Sequence, residues 1–325
     1  MKEKQILAID VSKRSLDICV RPTGATFKIN NDLSGFKELT AAMNPDLEPL
    51  VVMEHTGHYS FKLEKYLEEQ GVTYCKVPAL EIKRSNGMVR GKNDKIDSVR
   101  IAEYAWLRRT QLVATPKATE RVTRLNQLLS LRAKLVKDCG GYKTRIKEML
   151  DTELVSKSDL LYKSQRAVLV TLNSQIQKVE KAIEELIETD PELKNNFDLI
   201  RTIKGVGKIV AARMLAVTSN FKKFRNARKF NCYAGLAPFK HESGTSIRGR
   251  SRVSHLANKE IKTVLNLAAF CAIRFNQELK LYYEKRVSEG MKKMSCINII
   301  RAKIVGRIFA VVKRQTPYDA QALAA

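Results

Sequence analysis

The six cysteines, Cys19, Cys75, Cys139, Cys232, Cys271 and Cys296, lie far apart, and no two stand in C-x-x-C spacing. That spacing is what a zinc ribbon would need, and nothing here suggests a disulfide framework. Most of the six have apolar neighbours and read as core residues. No G-x-x-x-x-G-K-[ST] run occurs, which argues against a Walker-type ATP site. No apolar run approaches the roughly 18 residues of a membrane-spanning helix. Met1 to Gln5 leads straight into a strand pattern with no signal-peptide core. These absences point to a cytoplasmic protein with no membrane partner. Carboxylates are also scarce: 34 Asp and Glu face 59 Lys and Arg, a formal net charge of +25. The basic surplus is spread along the chain rather than held in a tail. With 325 residues there is room for two or three cored domains, and the charge selects a polyanionic partner, nucleic acid first.

Against that deficit, a few acids stand out by position. Ile6-Leu7-Ala8-Ile9-Asp10 and Val51-Val52-Met53-Glu54 are apolar runs that each end in a carboxylate. Such runs read as buried parallel-type strands, with the acid at the sheet's edge. Asp94 and Asp97, three apart where a helical pattern begins, share one helix face. Four acids brought together would repel one another unless a cation were bound. Hard cations take oxygen ligands, which makes Mg²⁺ (or Mn²⁺) the expected cofactor of Asp10, Glu54, Asp94 and Asp97. Two such ions about 3.5–4 Å apart can clamp the attacking and leaving oxygens of a phosphoryl transfer. His55 and His58, three apart, follow closely on Glu54, but imidazole suits these ions less well than carboxylate does.

The coarse pattern is α/β plus α. Strands over 5–10, 15–20 and 25–30 form a meander, followed by a helix over 33–43 and a strand over 50–54. A helix over 58–70, a strand over 72–77 and a helix over 94–107 complete a mixed-sheet domain, 1–115. If the first and fourth strands are parallel neighbours, Asp10 and Glu54 emerge side by side, as in a ribonuclease-H-like fold. Between Pro116 and Pro191 there is no proline. Val168, Leu172, Ile176, Val179, Ile183 and Leu186 recur there at helical spacing, and residues 116–190 read as a long helical hairpin or coiled coil. Its role is either to join subunits or to space domains rigidly.

Residues 191–325 read as a helical domain. Around Gly205, Gly207 and Lys208 the pattern is helix, Gly-x-Gly, helix, which resembles a helix-hairpin-helix whose backbone N–H groups hold a DNA phosphate. Gly235-Leu236-Ala237-Pro238 then opens into a polar loop with Ser243, Ser246, Arg248, Arg250 and Arg252. Arginine's planar fork suits phosphate oxygens, and Lys92 joins these residues as a candidate nucleic-acid contact. Helices over 256–275 and 295–313 close the chain, with Ser254 as a cap before the first. Asp17 reads as an exposed strand residue.

Taken together, Ile9-Asp10-Val11-Ser12-Lys13, Glu54-His55-Thr56-Gly57, Asn93-Asp94-Lys95-Ile96-Asp97 and Gly235-Leu236-Ala237-Pro238 followed by Glu242-Ser243-Gly244-Thr245-Ser246 carry a resemblance. In this order, they resemble the DEDD-type transposases of bacterial insertion sequences, the bridge-RNA-guided recombinase family, to which pilin-gene invertases are related. The resemblance implies a RuvC-like N-terminal domain whose acids fall on Asp10, Glu54, Asp94 and Asp97. It also implies a C-terminal transposase domain whose catalytic serine falls on Ser243, with Ser246 as the nearest rival. Its further implications are double-stranded donor and target DNA, a non-coding guide RNA, a homo-oligomer (dimer or tetramer) and a bacterial, nucleoid-associated location. Asp10 and Ser243 are far apart in sequence, so the expected site is composite.

A serine that attacks a DNA phosphate stores the bond energy as a phosphoserine ester, so rejoining needs no ATP. That agrees with the missing Walker motif. The first rival is a metal-dependent nuclease or junction resolvase, which needs the four acids and water but not Ser243. An invertase is a variant of the leading reading. A non-enzymatic nucleic-acid binder would need neither the acids nor the serine.

Overall fold

In the computed structural model the described residues are 4–319, without 56, 86, 88–93, 117–118 and 244–246. The chain divides into two compact units, Met1–Lys117 and Ala118–Ala325.

The first unit is built on a five-stranded sheet. Its strands are β1 (Lys4–Val11), β2 (Ser15–Arg21), β3 (Thr26–Asn30), β4 (Glu48–Glu54) and β5 (Thr73–Val77), in the order β3-β2-β1-β4-β5. β1 runs parallel to β4, and β4 to β5, while the first three strands form an antiparallel meander. The helices are α1 (Leu33–Ala41), α2 (Phe61–Glu69), α3 (Ala79–Ser85) and α4 (Asp94–Leu107). β1 is apolar without a break because both its faces are covered. Leu7 and Ile9 pack with Phe36 and Leu39 of α1 and Leu63 and Leu67 of α2. Ile6 and Ala8 face the other way, onto Ile101, Ala102 and Ala105 of α4. Each such large side chain contributes about 1.5–3 kcal/mol when fully buried. The result is a helix–sheet–helix sandwich with β1 at the centre of the sheet and the parallel β4 beside it.

The second unit opens with a hairpin of two long helices, α5 (Glu120–Asp151) and α6 (Leu160–Glu188). Thr119 and Asp159 cap them through side-chain oxygens. The buried stripe of α6 is Leu169, Val179, Ile183 and Ile187; Val168 lies one position off it and is exposed. Next come α7 (Pro191–Arg201), α8 (Lys208–Thr218), α9 (Ala227–Tyr233), β6 (Pro238–Ser243), β7 (Ile247–Val253), α10 (Lys259–Phe275), α11 (Gln277–Ser288) and α12 (Lys293–Arg314). The sequence reading separated 116–190 from 191–325. In the structure one apolar core runs from Val122, Leu125 and Ile187 at the hairpin's base through Phe230 to Ile300, Ile304 and Ile308 of α12.

Two expectations are corrected. The serine loop is a two-stranded antiparallel hairpin, β6–β7, so the C-terminal unit is not purely helical. Asn258, not Ser254, caps α10, since the Asn258 side chain accepts from Ile261 N. Ser254 instead caps a short turn through Leu256 N. The helix expected over 94–107 is α4, with Asp94 as its first residue.

Candidate functional site

In the β1–β4 ladder Ile9 pairs with Met53, so Asp10 and Glu54, one step on, stand at the same level at or next to the ends of neighbouring parallel strands. Alternation along a strand fixes their direction. Asp10 shares a face with Ile6 and Ala8, and Glu54 with Leu50 and Val52, the face that α4 covers. Both are half-buried.

The direction of α4 brings its first turn to the same edge. Arg21 pairs in register with Ile6 at the far end of β1, and its guanidinium lies 3.7 Å from the Glu103 carboxylate of α4. Lys4 Nζ donates to the Arg109 carbonyl, 3.5 Å away, just beyond that helix. α4 therefore runs antiparallel to β1. Nine helical steps from Glu103 back to Asp94 cover about 13.5 Å. Four strand steps from Ile6 to Asp10 cover about 13 Å. The match puts Asp94 and Asp97 over the edge where Asp10 and Glu54 emerge. Asp97 lies next to the buried Ser98, one turn before the buried Ile101.

Asp97 accepts a hydrogen bond from Arg100 Nη1 at 2.7 Å through one oxygen. The Asp94 side chain and all of Lys92 lie outside the described residues. Among the described residues no three His, Cys, Asp or Glu side chains are grouped closely enough to hold a metal ion. The donor set nevertheless fits Mg²⁺ in kind: hard carboxylate oxygens on two adjacent strand ends and one helix start. His58 is exposed and packs edge-on against Phe61, ring centroids 5.4 Å apart.

Sequence reasoning missed one acid. Asp17, read as exposed, is only 9% exposed and pairs in register with Asp10. Lys28 Nζ holds its carboxylate at 3.1 Å. Its alternation with Cys19 was the available signal, because Cys19 faces α4. Desolvation raises the pKa of both buried thiols nearby, Cys19 and Cys75.

In the second unit Ser243 ends β6, opposite Ile247. Its side chain, with those of His241, Arg248 and Arg250, lies outside the described residues, as does all of Ser246. Gly235 has φ +64°, and a Cβ there would meet the Ala257 Cβ at 2.2 Å. This glycine is thus required both for backbone angle and for contact. A cavity of about 600 Å³ opens beside the hairpin, lined by Phe239, Lys240, Arg252 and Leu256 among others. Arg252 is exposed.

The two hairpin glycines play different parts. Gly205 has φ +99°, and a Cβ there would come within 2.7 Å of the Ala272 backbone and side chain, so its backbone packs directly on α10. Gly207 caps α8 at φ −85°, with nothing within 4 Å of a Cβ position. Lys208, expected to contact phosphate, donates to both Glu184 oxygens at 2.8 Å. Among the described residues no helix is long and apolar enough to cross a membrane.

A family model described as a transposase, of the DEDD IS110 type, matches residues 7–154. A second, described as the IS116/IS110/IS902 transposase family, matches residues 197–284. The pilin gene-inverting protein of Moraxella bovis is 27% identical over 327 residues, covering 97% of this chain and 98% of that protein. Its Moraxella lacunata counterpart is similar to the same degree. The uncharacterized 43.6 kDa protein of insertion element IS110 from Streptomyces coelicolor is 25% identical over 163 residues, 50% of this chain and 39% of that protein.

Proposed function

Matched in both halves by IS110/IS116-family transposase models, the chain, we propose, recombines double-stranded DNA through a phosphoserine intermediate. The observation that carries this reading is the β1–β4 register, which sets Asp10 beside Glu54 at the edge where α4 begins. In this reading Asp10, Glu54, Asp94 and Asp97 hold Mg²⁺ or Mn²⁺. A bound divalent ion supplies positive charge to the 3′ oxygen that leaves or attacks.

The Ser243 oxygen attacks a backbone phosphorus. A serine–phosphate bond forms, the bond to the 3′ oxygen breaks, and the serine's proton ends on the departing 3′ hydroxyl. In the return step a DNA 3′ hydroxyl attacks the ester, the phosphodiester re-forms and serine is released. Both steps exchange one phosphate ester for another, so no nucleoside triphosphate is consumed. Arg248, Arg250 and Arg252 all fall within β7, and guanidinium groups suit the phosphates of the DNA backbone. Gly207, at the start of α8, offers backbone N–H groups to another phosphate. A guide RNA that pairs with donor and target, and a homo-oligomeric assembly, belong to the same reading and rest on the family resemblance.

Inversion of a DNA segment is a second reading, favoured by similarity to pilin gene-inverting proteins along nearly the full length of both chains. Chemistry is common to both. The rival is a metal nuclease that uses water. Ser243→Ala separates them on a plasmid carrying the native flanking ends: a recombinase loses strand cleavage, whereas a nuclease still cuts.

A further inference from the structure

Among the described residues the second unit buries three arginines, Arg213, Arg301 and Arg307. Two of them meet a carboxylate: Arg213 pairs with Glu260, and Arg307 with Glu278 at 2.6 Å. Arg301 does not. Only 5% exposed, it is bonded among the described residues solely to neutral groups. Nη2 donates to Asn266 Oδ1 on α10, and Nη1 to Asn298 Oδ1, 3.4 Å away on its own helix. Nε is buried with no partner. A second cation stands beside it. Lys262, one turn before Asn266, donates to the Gly235 carbonyl at 3.1 Å and pairs with no carboxylate among the described residues.

A buried guanidinium without a counter-charge is costly, and a neighbouring ammonium adds repulsion. Both groups register that cost. Burial lowers the pKa of Arg301, and burial, then Arg301's own charge, lowers that of Lys262. An anion placed here relieves both terms at once. We infer that Lys262 and Arg301 form a subsite for a backbone phosphate of DNA, opening through the half-exposed Asn266, Asn298 and Lys262.

Location gives the subsite its meaning. Asn298 Nδ2 donates to the Leu236 carbonyl at 2.8 Å, and Lys262 holds the preceding carbonyl. Both anchors lie in the turn that leads into β6, the strand that ends in Ser243. Five strand steps from Pro238 to Ser243 span about 17 Å, roughly five base pairs at 3.4 Å each. A phosphate held here would fix the DNA within about half a helical turn of one attacked by Ser243. The assignment rests on the chain acting on DNA.

The test uses the full-length protein and a duplex oligonucleotide, with affinity measured across a salt series. Lys262→Gln keeps a donor for Gly235 but removes the charge. It is expected to lower the slope of log affinity against log salt by about 0.9, the value of one phosphate contact. Lys262→Arg should restore the slope. Asn266→Asp supplies the missing carboxylate from within, so it should raise the melting temperature while weakening DNA binding. Unchanged slopes with binding intact, or an Asn266→Asp protein that melts lower or binds as well as the parent, would overturn the site alone. Failure of the unaltered protein to bind DNA would overturn both the site and the function it rests on.

Discussion

Asp10 and Glu54 stand at the same level on neighbouring parallel strands, because Ile9 pairs with Met53 immediately before them. Parallel neighbours lie about 4.8 Å apart, and both side chains follow the alternation that points towards α4. Two carboxylates at that spacing repel, and a divalent cation offsets the repulsion.

Asp10→Asn and Glu54→Gln should therefore separate activity from stability. Each is expected to reduce DNA cleavage at least a hundredfold, while the metal-free melting temperature stays level or rises. Mg²⁺ should stabilise the parent protein against heat and do so less for either variant. Thermal melts with and without Mg²⁺ check this independently of catalysis. Equal Mg²⁺ stabilisation in parent and variants would take the cation away from these two acids.

Gly205 and Gly207 look alike in sequence and should behave differently. Gly205→Ala must force a side chain into Ala272 at a positive φ, and should cost about 2–4 kcal/mol. Gly207→Ala meets open space at an ordinary φ, so it should stay within about 1 kcal/mol of the parent. If the α8 start holds a phosphate, Gly207→Ala weakens DNA binding without lowering stability. Chemical denaturation and duplex binding of the two variants decide the matter.

The legible parts of the fold were those with a local period. Unbroken apolar runs ending in Asp10 and Glu54 marked the central strands, and α4 was readable from Asp94 to Leu107. The β6–β7 hairpin was not, because Arg, Ser and Gly fill it and strand formers are few. Its signal was weaker: arginines at every second position after a short Gly-Thr-Ser connection. Asp17 was misread because its burial depends on α4, which follows much later in the chain. The pairing of Lys262 with Arg301 was beyond reach for the same reason, since only the packing of α10 on α12 joins them.

The first unit should lose stability in alkali. Tyr104 is 4% exposed and donates to Glu81 Oε2 at 2.9 Å. Burial first, and then that bond, push its pKa up to about 12. Tyr74, bonded to Glu68, is raised further by the same two causes. A raised folded pKa means that the folded protein holds its proton more tightly than the unfolded chain, whose tyrosines titrate near pH 10. The contribution is thus complete below about pH 10 and lost as pH climbs through 12, on the order of 2 kcal/mol for Tyr104. Tyr104→Phe should melt slightly lower at neutral pH and show a shallower alkaline decline. An equally steep decline would place the loss elsewhere.

The most direct measurement is a trap for the covalent intermediate. The full-length protein is incubated with Mg²⁺, DNA carrying its native flanking ends and the transcript of the flanking non-coding region. It is then denatured and resolved for protein–DNA adducts, with Ser243→Ala, Ser246→Ala and Asp10→Ala alongside. A phosphoserine mechanism predicts an adduct in the parent and in Ser246→Ala, none in Ser243→Ala or Asp10→Ala, and a labelled peptide containing Ser243. Free cleavage with no adduct, unchanged by Ser243→Ala, would contradict it and leave a metal-dependent nuclease in its place.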